Sequence, residues 1–130
     1  MTKRIILCVI MASFAIFAAC KNKKTTMFEN LSSSDFAHEF AADTNAVLLD
    51  VRTDAEVMQG IIPQSVHIDI QKYTFADEVE KLDKTKNYYI YCRSGGRSST
   101  ACQYLRTRNF LGKIVNLDGG ITHWEGEVKK

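Results

Sequence analysis

The chain has 130 residues, of which 45% are hydrophobic and 25% charged, with a formal net charge of +2. One proline, seven glycines and four cysteines exclude a disordered chain, a collagen-like repeat and a disulfide-rich scaffold. From Cys20 onward the 15 acidic residues face an equal number of basic ones, because only Lys3 and Arg4 precede that point. This balance excludes a nucleic-acid partner held by bulk charge.

The first 19 residues have the layout of a secretory signal peptide. Lys3 and Arg4 precede an uncharged apolar run at residues 5–19. As a helix this run would be about 22 Å long at ~1.5 Å per residue. It is therefore shorter than the hydrocarbon core of a bilayer, which is about 30 Å thick. A basic start, a short apolar run and small residues at its end are typical of a signal peptide.

Two alanines stand directly before Cys20, and Phe-Ala-Ala-Cys at residues 17–20 resembles a bacterial lipobox. The resemblance implies that residues 1–19 are removed and that Cys20 is lipidated. Residues 20–25 would then form the lipidated N-terminus and a tether. We expect a lipid anchor to the membrane of the bacterial cell envelope, facing the periplasm. An ordinary leader with an incidental Cys20 is the alternative.

The remaining residues, 26–130, are predicted to form one domain of alternating strands and helices. Ser32-x-x-Asp35 predicts the start of a helix, and the apolar residues 46–49 (AVLL) predict a strand buried on both faces. The elements predicted after these are a helical turn at 53–56, a strand at 65–70, a helix from 74, a strand at 88–91, a helix at 98–109, a strand at 114–117 and a short helix carrying Trp124. Such alternation predicts an α/β fold with a mainly parallel central sheet flanked by helices.

Residues 91–98 (YCRSGGRS) carry the chemistry, because they connect a predicted strand to a predicted helix. Ligands of parallel α/β folds bind at this edge of the sheet. Gly95 and Gly96 allow positive φ, so the loop can curl with its N–H groups pointing inward. The helix N-terminus adds positive partial charge, which favours ionisation of a thiol at Cys92.

Polar and charged side chains surround this cysteine. Arg93 and Arg97 supply two positive charges that favour an anionic substrate. The hydroxyls of Ser94 and Ser98 can donate to the sulfur, although capping the helix is the expected role of Ser98.

Four motifs together resemble the single-domain rhodaneses over about the whole folded part of the chain. They are Cys92–Arg97 (CRSGGR), Asp50-Val51-Arg52, residues 60–65 (GIIPQS, where the family commonly has Gly-His-Ile-Pro-Gly-Ala), and Asp118-Gly119-Gly120 followed by Trp124. Their order and spacing match the family.

The resemblance implies a sulfurtransferase with Cys92 as the nucleophile. Arg93, Ser94, Gly95, Gly96 and Arg97 would bind the substrate sulfur, through a ring of backbone amides. A sulfane sulfur would pass from thiosulfate or a similar anionic donor to a thiol or cyanide, through a Cys92 persulfide and without a separate cofactor.

Supporting roles are expected for Asp50 and Arg52, which would hold the edge of the loop through ion pairs. Arg52 can pair with Glu56 four residues on. No metal is expected, because the three histidines lack metal-ligand spacing.

Three alternatives remain. A cysteine phosphatase would also use a Cys, an amide ring and an Arg, but with five residues between Cys and Arg where this chain has four. A rhodanese-like module that only binds would usually lack the cysteine. Thiol–disulfide exchange between Cys92 and Cys102 is disfavoured, because a helix separates the two and no Cys-x-x-Cys is present.

Overall fold

A computed structural model describes residues 27–130, which form a five-stranded parallel sheet in the order β1-β5-β4-β2-β3. The strands are β1 (Glu29–Leu31), β2 (Ala46–Asp50), β3 (Val66–His67), β4 (Asn87–Tyr91) and β5 (Ile114–Leu117). The helices are α1 (Ser33–Ala42), α2 (Asp54–Val57), α3 (Phe75–Glu80), α4 (Gly96–Thr107) and a 3-10 helix, Gly120–His123. The predicted α/β fold with a parallel central sheet is confirmed.

The sheet is buried on both faces, and β4 shows this most clearly. Tyr88, Ile90 and Cys92 pack in one apolar cluster with residues of α3 and α4. Tyr89 and Tyr91 pack on the opposite face, with Phe36 of α1 among their neighbours. Because successive residues of a strand point to opposite faces, the cysteine that follows β4 points toward α4.

Capping residues fix two of the helix starts, as the sequence predicted. Ser32 is the N-cap of α1, and its hydroxyl accepts from the amide of Asp35 at 3.3 Å. Thr53 and Glu56 form a reciprocal capping box on α2. The second of these caps places a carboxylate beside the candidate site described below.

The structure differs from the predicted elements in one missed strand and in two boundaries. The edge strand β1 was not predicted, because it has only three residues and two of them are exposed. Only Val66–His67 of the predicted strand at 65–70 is a strand, although the amides of Ile68 and Ile70 still donate to the carbonyls of Asp50 and Val51. Helix α4 begins at Gly96, two residues before its predicted start.

Within residues 27–130, no helix is long and apolar enough to cross a membrane. The expected signal peptide, Cys20 and the tether lie outside the described residues.

Candidate active site

The Cys92 side chain lies under the loop that joins β4 to α4, and the residue is only 1% exposed. The amide of Gly95 donates to its Sγ at 3.1 Å. The Ser98 hydroxyl lies 3.3 Å from the same sulfur. Two donors therefore converge on a buried sulfur at the carboxyl edge of the sheet, where ligands of parallel α/β folds bind.

The surroundings of Cys92 favour its thiolate. Burial raises the pKa of the thiol and is the largest single influence on it. It is outweighed by the Ser98 hydroxyl and by the backbone N–H groups of Ser98, Gly95 and Ser94, which together lower the pKa below its usual value. Hydrogen bonds to the charged form favour ionisation, so the sulfur is a nucleophile at neutral pH more readily than an ordinary cysteine.

The 3-10 helix explains why amides, rather than carbonyls, face the sulfur. Its residues Ile121 and Thr122 donate their N–H groups to the carbonyls of Cys92 and Arg93 at 2.9 and 3.1 Å. The close approach requires glycine at position 120, where φ is +61° and a Cβ would overlap the backbone of Arg93. The Gly-Gly motif thus allows the 3-10 helix to approach the loop closely enough to form these two hydrogen bonds.

Two expectations about the loop are corrected by its geometry. Only Gly95 uses positive φ, at +102°, whereas Gly96 does not. Gly95 is also the N-cap of α4, so the predicted cap at Ser98 was wrong. The hydroxyl of Ser98, in the first turn, lies within hydrogen-bond distance of both the sulfur and the Gly95 carbonyl.

The ion pairs near the loop differ from those that the spacing suggested. Glu56 binds Arg97 through two hydrogen bonds of 2.8 and 2.7 Å, and does not form the expected pair with the Arg52 guanidinium. The Arg97 guanidinium, with two hydrogen bonds from Thr53, holds the pKa of Glu56 down at about 2, with burial acting in the opposite direction. The charge of Arg97 is therefore matched by a neighbouring carboxylate.

Asp50 and Arg52 form a second, fully buried pair. The guanidinium donates to the carboxylate of Asp50 at 2.7 to 3.1 Å and to the carbonyl of Gly60 at 2.7 Å. It also lies over the ring of Tyr91, 5.5 Å from the centroid. Both arginine charges are thus engaged with the protein, and this pair ties the end of β2 to the Gly60 turn.

Arg93 and Ser94 are exposed residues of the loop. Among residues 27–130, no carboxylate lies within ion-pair distance of the Arg93 guanidinium. This residue borders a cavity of about 500 Å³, which is lined by Arg52, Glu56, Gln59, Arg93, Ile121 and Thr122. Of the arginines near Cys92, Arg93 is the one whose charge is available to a ligand.

Cys102 lies on α4 within the same apolar cluster and is fully buried and free. Burial raises the pKa of its thiol far above the usual value. No group of three or more His, Cys, Asp or Glu side chains among the described residues is placed to hold a metal ion.

The model of the rhodanese-like domain family matches residues 33–127. The chain belongs to this family. A putative sulfurtransferase of Bacillus subtilis, YtwF, is 43% identical over 101 residues, which cover 78% of this chain and 94% of the relative. The thiosulfate sulfurtransferase GlpE of Pseudomonas savastanoi is 34% identical over 82 residues, which cover 63% of this chain and 74% of that protein.

Among solved structures, the rhodanese-related protein of Thermoplasma volcanium matches with a TM-score of 0.68 at 27% identity. The match covers 78% of this chain and 98% of that one. The chain is thus a rhodanese-like domain with relatives named sulfurtransferases.

Sequence reasoning missed Glu56 as a partner of the loop. It also missed Asn116, a buried residue of β5 beside Gly95. The capping-box spacing marked Glu56 as important to α2, but nothing local in the sequence points to Arg97, which is 41 residues away.

Proposed function

We propose that this rhodanese-like protein transfers a sulfane sulfur through a persulfide on Cys92, from thiosulfate or a similar small anionic donor to a thiol or cyanide. The observation that carries the proposal is the convergence of the Gly95 amide and the Ser98 hydroxyl on Cys92 Sγ. Both groups point at the sulfur itself, where they would stabilise the negative charge of the thiolate before it attacks the donor and after the sulfur has been passed on.

The first step is attack of the Cys92 thiolate on the outer sulfur of thiosulfate. A sulfur–sulfur bond forms to the cysteine, the bond from the transferred sulfur to the sulfite sulfur breaks, and sulfite leaves with the electron pair. The electron pair of the thiolate forms the new bond, and the outer sulfur of the persulfide keeps the negative charge that it carried in thiosulfate. In the second step cyanide or a thiolate attacks that sulfur and regenerates the thiolate, which predicts ping-pong kinetics.

A small anionic donor is favoured by the charges around the loop. Arg97 and Arg52 are neutralised by Glu56 and Asp50, whereas Arg93 is exposed beside the cavity. A single available guanidinium can attract a sulfonate-like group toward the loop. The similarity to GlpE, a protein named for thiosulfate, supports the same donor.

The test is the intact mass of the purified protein before and after thiosulfate, followed by cyanide. We expect a gain of one sulfur atom that disappears with cyanide and is absent from the Cys92→Ser variant. The matched control is Cys102→Ser, which should gain the sulfur as the wild type does. No gain in a folded protein with reduced Cys92 would contradict thiosulfate as donor. If other sulfane donors also gave none, it would favour a module that only binds.

We also propose that the protein is lipid-anchored in the bacterial cell envelope through Cys20. The support is the lipobox-like sequence and the short apolar run before it. In a bacterial host, the wild type should fractionate with membranes and carry a lipid on Cys20, whereas Cys20→Ala should not. Equal fractionation of both proteins would contradict the anchor.

A further inference from the structure

Asn116 is a buried polar side chain in a strand that is otherwise apolar. It lies within β5 (IVNL), is 3% exposed, and is paired in register with Ile90 of β4 and Asn30 of β1. Its Oδ1 is the one buried side-chain nitrogen or oxygen atom of the described residues that has no hydrogen-bond partner. Burying an unpaired polar atom is unfavourable, so any favourable interaction of this amide has to be made by its nitrogen, Nδ2.

That atom, Nδ2, reaches the Cys92 loop. It donates to Oδ1 of Asn30 at 2.8 Å and, over a longer distance of 3.4 Å, to the carbonyl of Gly95. Gly95 is the residue whose amide donates to Cys92 Sγ. Asn116 is thus connected to the sulfur through one residue.

The Gly95 carbonyl has more donors than a carbonyl can fully use. The amide of Ser99 lies at 3.1 Å, the hydroxyl of Ser98 at 3.2 Å and Asn116 at 3.4 Å. A carbonyl oxygen has two lone pairs, and a hydroxyl has a single proton to donate. When Ser99 and Asn116 occupy the carbonyl, the Ser98 proton is released for another acceptor, and Cys92 Sγ lies 3.3 Å away.

We propose that Asn116 is a positioning residue for sulfur transfer, which occupies the Gly95 carbonyl so that the Ser98 hydroxyl donates to the sulfur of Cys92. The inference rests on the proposed function, which makes Cys92 the sulfur carrier. Without Asn116, the Ser98 proton turns to the Gly95 carbonyl, and the thiolate or persulfide loses a donor. The effect of Asn116 is therefore exerted entirely through Ser98.

The test is a double-mutant cycle of Asn116→Leu and Ser98→Ala, read by the pH dependence of Cys92 alkylation with iodoacetamide. Alkylation is located by peptide mass spectrometry on the full chain. We expect Ser98→Ala to slow the reaction at neutral pH by roughly tenfold, the effect of one hydrogen bond to a charged group. Asn116→Leu should slow it several-fold in the wild-type background. It should have no further effect in the Ser98→Ala background.

The matched control is Asn87→Leu, the same substitution in β4 at the opposite end of the sheet, where the amide binds Asp43. It should leave the pH profile of Cys92 unchanged, so a change common to both variants would overturn the proposal. Equal effects of Asn116→Leu with and without Ser98 would also overturn it, as would an unshifted profile. Asn116→Ala serves in the same cycle if the leucine variant does not fold.

Alkylation of Cys92 does not require sulfur transfer, so the experiments can contradict the proposed function and the role of Asn116 independently of each other. A wild type that gains no sulfur from any donor contradicts the proposed function, whatever the cycle shows. A protein that gains sulfur but shows additive effects in the cycle contradicts the role of Asn116 alone.

Discussion

Cys92 and Cys102 lie in the same apolar cluster and are almost equally buried, yet the pKa of Cys92 is lowered and that of Cys102 is raised. Burial raises the pKa of both. At Cys102 nothing outweighs it, whereas at Cys92 the Ser98 hydroxyl and the backbone N–H groups of Ser98, Gly95 and Ser94 together outweigh it. Solvent exposure therefore does not explain why the pKa of Cys92 is lowered and that of Cys102 is raised. The hydrogen-bond donors at the Cys92 sulfur explain it.

The largest expected effect separates the two cysteines completely. Cys92→Ala should abolish sulfur loading from thiosulfate, because burial raises the pKa of the other described thiol, Cys102, and disfavours its thiolate. Cys102→Ala should retain the activity and lose about 1 kcal/mol of unfolding free energy, because it removes one buried sulfur from the cluster. Steady-state sulfur transfer and urea unfolding of both variants measure this. Sulfur loading that survives Cys92→Ala would contradict Cys92 as the residue that carries the transferred sulfur.

Gly120→Ala should give the next largest effect, because the new Cβ would overlap the Arg93 backbone and lie 2.6 Å from the Cys92 carbonyl. The 3-10 helix must then move away, and the Cys92 and Arg93 carbonyls lose their donors. We expect a loss of about 2–4 kcal/mol in unfolding free energy and a large fall in sulfur transfer.

The matched control for Gly120→Ala is Gly96→Ala, whose Cβ would meet no atom within 4 Å and whose φ is not positive. It should retain the stability of the wild type in the same urea titration. Equal stability losses in both variants would show that contact with the loop backbone is not what requires glycine at position 120.

Ser98→Ala should reduce the difference between Cys92 and Cys102, because it removes the hydroxyl donor and leaves the burial and the backbone donors unchanged. Hydrogen bonding lowers the pKa of Cys92 in the wild type, so removing a donor raises it. Thiolate reactivity at neutral pH should then fall by about tenfold and recover at higher pH. Stopped-flow alkylation across the pH range measures the shift. A uniform fall at every pH would instead indicate a misplaced sulfur.

How much of this site could be read from the sequence depends on how local its contacts are. The loop at 92–97 and the Gly-Gly motif are contiguous, and the strand before Cys92 is marked by its apolar run. The Glu56–Arg97 pair joins residues 41 apart, and the i,i+4 spacing suggested Arg52 as the partner instead. Arg52 pairs instead with Asp50, only two residues before it in the sequence, and the Glu56 carboxylate binds Arg97.

Asn116 was not predicted as a residue of the site for a related reason. In the sequence IVNL it interrupts an apolar run that predicts a buried strand correctly, and a single polar residue does not change that prediction. Its importance depends on which strand neighbours β5 and on which face of the sheet α4 covers. Both are properties of the strand order, which local patterns do not determine.

Glu56→Gln should have the smallest effect on Cys92, because Glu56 reaches the loop only through the Arg97 side chain. Its effect on stability is measurable, since it removes an ion pair whose side chains are 24% and 27% exposed. We expect a loss of about 1–3 kcal/mol at neutral pH. The matched control is Glu80→Gln, which removes the exposed pair with Lys84 and should cost no more than about 0.5 kcal/mol.

The pH dependence identifies the cause of that loss. The pKa of Glu56 falls from its usual 4.5 to about 2 on folding, so the pair contributes fully above about pH 4.5 and loses its contribution as the pH falls toward 2. The difference between wild type and Glu56→Gln should therefore shrink as urea titrations move down through this window. A difference that stayed constant would mean that the ionised carboxylate of Glu56, which binds Arg97 and Thr53, does not stabilise the fold through its charge.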